Sequence, residues 1–319
     1  MFAEAASQLS TLRDWLRFAV SRFNEAGLSF GHGSTNAYDE AAYLLLHTLH
    51  LPIDRLEPFL DARLTKSEIE AVERLLARRI RERIPAAYLT REAWLGEFRF
   101  YVDERVIVPR SYIAELLRDR LYPWLSARSS PRAILDLCTG SGCLAIVAAH
   151  TFPGAQVDGI DLSRAALAVA RRNVRGHHLS ARIHLQQSDL FSKLGGKRYG
   201  LILTNPPYVR ESVMRKLPAE FRQEPALALQ GGRDGLDLVR RIFAAASAHL
   251  EPRGWLVMEV GHNRQRVERA FPRLPFIWAE TSGGDDCTLL LPKEALPQWA
   301  MPALPSTPAV VRRPRRSVR

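Results

Sequence analysis

Three short stretches of this chain hold residues whose types and spacing suit chemistry. The first, Tyr199-Gly-Leu-Ile-Leu-Thr-Asn-Pro-Pro-Tyr-Val209, opens as an apolar strand and ends in a stiff polar corner, Asn205-Pro206-Pro207-Tyr208. Neither proline has an N–H to give a sheet and each holds φ near −65°, so the strand must stop there. The corner offers two acceptors, the Asn205 side-chain oxygen and the Pro206 carbonyl, held by successive prolines. An NH₂ group presents two donors and matches them. An amide nitrogen is a poor nucleophile because its lone pair is delocalised into the carbonyl. Acceptors that aim its hydrogens and encourage pyramidalisation free that pair for group transfer, and Tyr208 can pack on the planar amide and wall off water. No histidine or cysteine nucleophile is called for, and no dedicated base is evident. His47, His184 and His262 read as surface or satisfied core residues.

The second stretch, Ile134-Leu-Asp-Leu-Cys-Thr-Gly-Ser-Gly142, is strand, glycine turn, then helix. Gly140 and Gly142 permit a tight turn and a close ligand approach, and the following helix aims free N–H groups at the loop. Asp161, 19 residues beyond Gly142, ends the next strand, where an acid accepts from ribose hydroxyls. In the third, Gln187-Ser-Asp-Leu190, Asp189 is placed to accept from an adenine amino group or simply to cap a turn. Together these imply a nucleoside-containing cofactor. NAD fits the loop and its acid, but Asp136, inside the approaching strand, would repel pyrophosphate and suit a cationic sulfonium or amino group.

The elements that position these residues follow from periodicity. Residues 1–88 read as a helical bundle: Leu9, Leu12, Leu16, Ala19 and Phe23 share one face before Gly27, a second helix spans about 36–50, and a third opens on the capping-box spacing Thr65-Lys-Ser-Glu68. Residues 89–110 read as a linking β-hairpin, with Phe98–Val102 turning back into Val106–Val108. From Ala133 strands and helices alternate, predicting parallel strands at 133–137, 156–161, 182–187, 200–205 and 254–260. Strands at 276–281 and 287–292 are too close for a crossover and must pair antiparallel. The class predicted is α/β, a Rossmann-like, mainly parallel sheet with an antiparallel terminal hairpin, a hairpin foreign to dinucleotide domains. From Leu296 onward, five prolines and the arginines predict a disordered basic tail (296–319).

At 319 residues and 46% hydrophobic, the chain can form two cores. It has no transmembrane run or signal peptide, and its three cysteines lack metal-ligand spacing, which predicts a reduced, cytoplasmic protein without metal. The net charge is +11; without Arg312, Arg313, Arg315, Arg316 and Arg319 of the tail it is +6. That surplus is either a solvated surface or the footprint of an RNA-rich or acidic partner.

The motifs DLCTGSG, GIDLS, QSDLF and TNPPYV, in this order, resemble the class I S-adenosylmethionine-dependent methyltransferases, in the branch acting on amide or exocyclic nitrogens. The flanking YVDERVIVPRSYIAELL and FRQEPALALQGGRDGLDLVRRI resemble the protein-glutamine N5-methyltransferases, most of all the subgroup acting on large-subunit ribosomal protein L-three. The similarity covers roughly residues 85–295. Tyr112 departs from the expected proline, and Cys138 from the glycine many methyltransferases use at the loop's start. The resemblance implies a methyltransferase domain over 111–295 behind a helical substrate-recognition domain. It implies a cofactor site of Asp136, Cys138, Thr139, Gly140, Ser141, Gly142, Asp161, Leu162, Asp189, Leu190 and Asn205. It also implies a substrate site of Asn205, Pro206, Pro207 and Tyr208, a second contact from Arg110, and a mobile lid around Glu224-Pro225. Alternatives are methylation of adenine or cytosine amino groups in RNA or DNA, methylation of a peptide release factor, and an assembly factor with a vestigial cofactor site. An NAD-dependent oxidoreductase lacks any acid/base set.

Overall fold

The computed structural model describes residues 2–125 and 130–296. The predicted basic tail lies outside the described residues from 297 on; its expected first residue, Leu296, is buried in the core.

The N-terminal region is built from α1 (Phe2–Gln8), α2 (Leu12–Glu25), α3 (Ala37–Thr48), α4 (Lys66–Arg81) and α5 (Ala86–Thr90). Capping boxes begin two of these helices, Thr11 with Asp14 and, as the spacing predicts, Thr65 with Glu68, satisfying N–H groups the helix leaves unpaired. The apolar stripes meet around Trp15, Phe23, Leu44, Leu45, Val72 and Leu76.

The linking hairpin differs from expectation. Its strands are β1 (Glu92–Leu95) and β2 (Phe98–Tyr101), with Gly96 at φ +60° in the two-residue turn. Val106–Val108 is not a strand. Asp103 takes the N–H of Arg105 and, through its carbonyl, that of Val106, closing a local turn, and the Val108 N–H goes to the Glu224 carboxylate at 2.9 Å instead of a sheet. A short helix, α6 (Ile113–Arg118), follows.

The catalytic-type layer comprises β3 (Ala133–Leu137), α7 (Cys143–Thr151), β4 (Gln156–Asp161), α8 (Arg164–Gly176), β5 (Ile183–Gln187), β6 (Tyr199–Thr204), α9 (Glu211–Met214), α10 (Asp237–His249), β7 (Leu250–Glu259), α11 (Arg264–Ala270), β8 (Ile277–Thr281) and β9 (Gly284–Pro292). The sheet order is β5-β4-β3-β6-β7-β9-β8; β9 runs antiparallel to both neighbours and the other pairings are parallel. This is the predicted class I methyltransferase architecture with its N-terminal helical bundle. Along β6, Leu201 and Leu203 pack into one apolar layer and Ile202 into the other, the two-residue alternation of a strand covered on both faces. The chain winds outward from β3 through β4 to β5, then returns to place β6 on β3's other side. That reversal opens a crevice at the strands' C-terminal ends, the usual ligand site of such sheets.

Candidate active site

The sheet order sets the predicted functional residues in a row. Asp189 follows β5, Asp161 ends β4, the glycine loop leaves β3, Asn205 follows β6 and Glu259 ends β7. The loop and the Asn-Pro-Pro-Tyr turn are neighbours because Leu137 pairs with Thr204, whose hydroxyl also donates to the Leu137 carbonyl at 3.0 Å.

The two loop glycines do different work. Gly142, at φ +81°, would put a Cβ 3.2 Å from the Ala170 Cβ, so its bareness lets α7 sit against α8. Gly140, at φ +54°, would meet only the Cys138 carbonyl, at 4.0 Å, and it leaves the crevice open. Cys138 itself sits at φ +59°, which accounts for glycine being the common residue there. Asp161 is a doubly held acceptor: it takes the Gly140 N–H at 2.9 Å and the Ser163 N–H at 2.8 Å. Burial raises its pKa. Leu162 beside it is an exposed apolar side chain, 50% accessible, and Leu190 is buried with φ +47°. Asp189 is exposed and ion-paired with Arg241 at 2.8 Å.

Asp136 points to the α7 side. One carboxylate oxygen accepts from the Thr139 hydroxyl (2.5 Å) and the Ala145 N–H (3.0 Å), while the other, Oδ1, is buried without a partner. Burial pushes its pKa up to about 7. An orphaned carboxylate oxygen beneath an open glycine loop fits the cationic methionyl end of S-adenosylmethionine, so these residues suit that group. A testable consequence concerns pH. Because the raised pKa lies near 7, Asp136 ionises as pH rises from 6 to 8, and a cationic ligand gains a partner only then. Cofactor affinity measured by titration calorimetry should therefore strengthen across that interval and be flat in Asp136→Asn; parallel profiles would remove Asp136 from cofactor contact.

At the turn, neither the Asn205 side chain nor the Pro206 carbonyl has a hydrogen-bond partner among the described residues. The rest of the turn is heavily braced. Val209 gives its N–H to Leu229 and accepts from Gly231, both at 2.8 Å. Side chains are excluded around it: a Cβ on Gly231 would lie 2.7 Å from the Tyr208 Cα, on Gly235 2.6 Å from the Tyr208 carbonyl oxygen, and on Gly261 2.6 Å from the Tyr208 ring. The Tyr208 hydroxyl donates to Glu259 Oε1 at 3.3 Å, and Glu259 Oε2 accepts from the Ser111 hydroxyl and the Tyr112 N–H at 2.7 and 2.9 Å. Burial raises the pKa of both Tyr208 and Glu259. Sequence reasoning missed Glu259; its signal was an acid ending the fifth parallel strand, opposite the loop acids.

Arg110 stands behind the turn. Its fork grips both oxygens of Glu224 at 2.6 Å, and the Phe221 ring contacts both Arg110 and the buried His32 ring. His32 Nε2 is 3.6 Å from the same carboxylate, too far for a hydrogen bond. Burial alone would raise the Glu224 pKa, but His32 and Arg110 outweigh it and hold it at about 2. Glu220, also buried, meets Arg83 at 3.1 Å and Arg79 at 3.5 Å on α4. The segment expected to be a lid forms a strap here, tied by buried charges to the helical region. His262, assigned nothing from sequence, meets Asp286 at 3.0 Å beside Cys287, whose thiol donates to the Gly283 carbonyl at 3.3 Å. A separate cavity of about 310 Å³, lined by Phe98, Arg118 and His150, lies at the far end of α7 and holds none of these residues.

Comparison with known proteins accords with this geometry. Residues 119–274 match the family model described as Methyltransferase small domain, and residues 14–90 the PrmC N-terminal domain. The ribosomal protein uL3 glutamine methyltransferase of Neisseria meningitidis serogroup A is 57% identical over 296 residues, covering 93% of this chain and 97% of its own. Its counterpart in Burkholderia pseudomallei is 54% identical over 297 residues, covering 91% and 97%. That of Bradyrhizobium diazoefficiens is 50% identical over 284 residues, covering 87% and 89%. On this evidence the chain belongs to the ribosomal protein uL3 glutamine methyltransferase family.

Proposed function

We propose that the protein methylates the side-chain amide nitrogen of a glutamine in ribosomal protein uL3, with S-adenosylmethionine as methyl donor. The observation that carries the reading is the unpaired pair of acceptors, the Asn205 side chain and the Pro206 carbonyl, at a rigid turn beside the open glycine loop. When bound, the cofactor supplies an electrophilic methyl on a cationic sulfur. Asp161 accepts from its ribose hydroxyls, Leu162, Asp189 and Leu190 border its base, and Asp136 with Cys138, Thr139, Gly140, Ser141 and Gly142 shapes the methionyl side. Asn205 and Pro206 accept the two amide hydrogens and aim the nitrogen lone pair; Pro207 stiffens them, and Tyr208, anchored on Glu259, covers the amide face. The cofactor would supply the methyl to the nitrogen so positioned, and the nitrogen would release one proton to solvent. Arg110 supports the site through Glu224.

The substrate class separates this reading from its rivals. Incubated with methyl-labelled cofactor and undermethylated ribosomal extract, the enzyme should place label on a glutamine-containing peptide of uL3, released by protease and resistant to nuclease. Label released by nuclease would move the activity to nucleic acid. Preferred labelling of an added peptide release factor would move it to that protein.

A further inference from the structure

Outside the Asn205–Tyr208 turn, the segments that brace it open into a cleft of about 490 Å³ lined by Arg210, Arg233, Asp234, Asp237, Arg240 and Arg266. Arg240 is already neutralised, held by Asp234 and 3.4 Å from Asp237. The guanidinium groups of Arg210, Arg233 and Arg266 have no hydrogen bond or ion pair among the described residues. Four other arginines around the site, Arg79, Arg83, Arg110 and Arg264, each meet a carboxylate. The 13-residue helix α10 also starts at this cleft without a side-chain cap, adding the positive end of its dipole. The cleft adjoins the reacting turn: Gly235, next to the lining Asp234, leaves room for both the Tyr208 carbonyl and the Arg210 side chain.

We propose that this cleft binds backbone phosphates of an RNA strand that accompanies the protein substrate to the enzyme. A guanidinium fork suits phosphate oxygens, and several unmatched forks along an open cleft suit a run of phosphates better than one carboxylate. The chain's net charge of +11 acts in the same direction. The choice of RNA over an acidic peptide rests on the ribosomal-protein reading above.

The test is fluorescence anisotropy of a labelled single-stranded oligouridylate over a KCl series. Replacing Arg210, Arg233 and Arg266 with glutamine should weaken binding about tenfold or more at low salt and lower the salt slope by about 2, at about 0.7 per single-strand phosphate contact. A control triple with the same charge change, R74Q/R171Q/R175Q, should bind like wild type. The double variant R233Q/R266Q changes only exposed side chains and keeps the test valid if Arg210 matters for folding. Equal losses in the cleft and control triples would reduce the effect to net charge and overturn the proposal. So would a wild-type enzyme that binds a labelled polyglutamate peptide more tightly than RNA and loses that binding in the cleft triple. Methylation of free uL3 by the double variant R233Q/R266Q should match wild type. A wild-type enzyme inactive on uL3 refutes the proposed function while the RNA result stands separately.

Discussion

Replacing Asn205 with alanine should lower methyl transfer about 10²–10³-fold, about 3–4 kcal/mol, the usual cost of deleting one preorganised polar group at a reacting centre. Cofactor affinity and melting temperature should stay near wild type, because the Asn205 side chain has no partner among the described residues to lose. At saturating cofactor, Asn205→Asp should lose less than Asn205→Ala, since it keeps an acceptor in place. Single-turnover rates with a uL3 glutamine peptide, paired with calorimetric titration of cofactor, read both effects. Equal rates for the aspartate and alanine variants would remove the acceptor role from Asn205.

The second large effect belongs to Glu224. Truncation to alanine leaves Arg110 and His32, which both contact Phe221, without the carboxylate that joins them, and breaking a buried pair in this way costs about 3–5 kcal/mol. The sign of its pH dependence follows from the depressed pKa. The carboxyl falls from an ordinary 4.5 to about 2 in the folded protein, so its contribution is full above about pH 5 and is lost as pH falls toward 2. At about 1.4 kcal/mol per pH unit, that is about 3 kcal/mol. Asp161, Glu40 and Glu259 are raised by burial and act with the opposite sign, so the reading comes from the difference between wild type and Glu224→Gln. Urea unfolding of the two proteins between pH 5 and pH 3 should show their stabilities converging as pH falls; a constant gap would remove the carboxylate's charge from the account. Because the strap runs on into Leu229 and Gly231, which pair with Val209, the same variant should raise KM for the peptide more than it alters cofactor affinity.

Some of this was legible in residue order because local chemistry dictates it. Two prolines end a strand whatever surrounds them, and the Thr65–Glu68 spacing caps a helix by itself. The switch to strand–helix alternation placed the glycine loop, Asp161 and Asn205 at the C-terminal ends of three strands of one parallel layer. The hairpin was misread because alternation alone does not say which partner a strand takes. Residues 106–108 have strand composition, but a local Asp103 turn and the distant Glu224 claim their N–H groups. The strap's ties were not legible because a long segment with little clear period looks loose until its two acids meet their cations.

The sequence by itself determined the α/β class, the glycine loop with its following acid and the stiff proline corner, since each depends on period, glycine and proline constraints acting within a few residues. Only the tertiary structure decided what holds the corner still. The Glu259 anchor of Tyr208, the glycines packed on that ring and backbone, and the Glu220–Glu224 strap join residues far apart in the chain. Their pairing follows from burial, where an unmatched charge is too costly to leave alone.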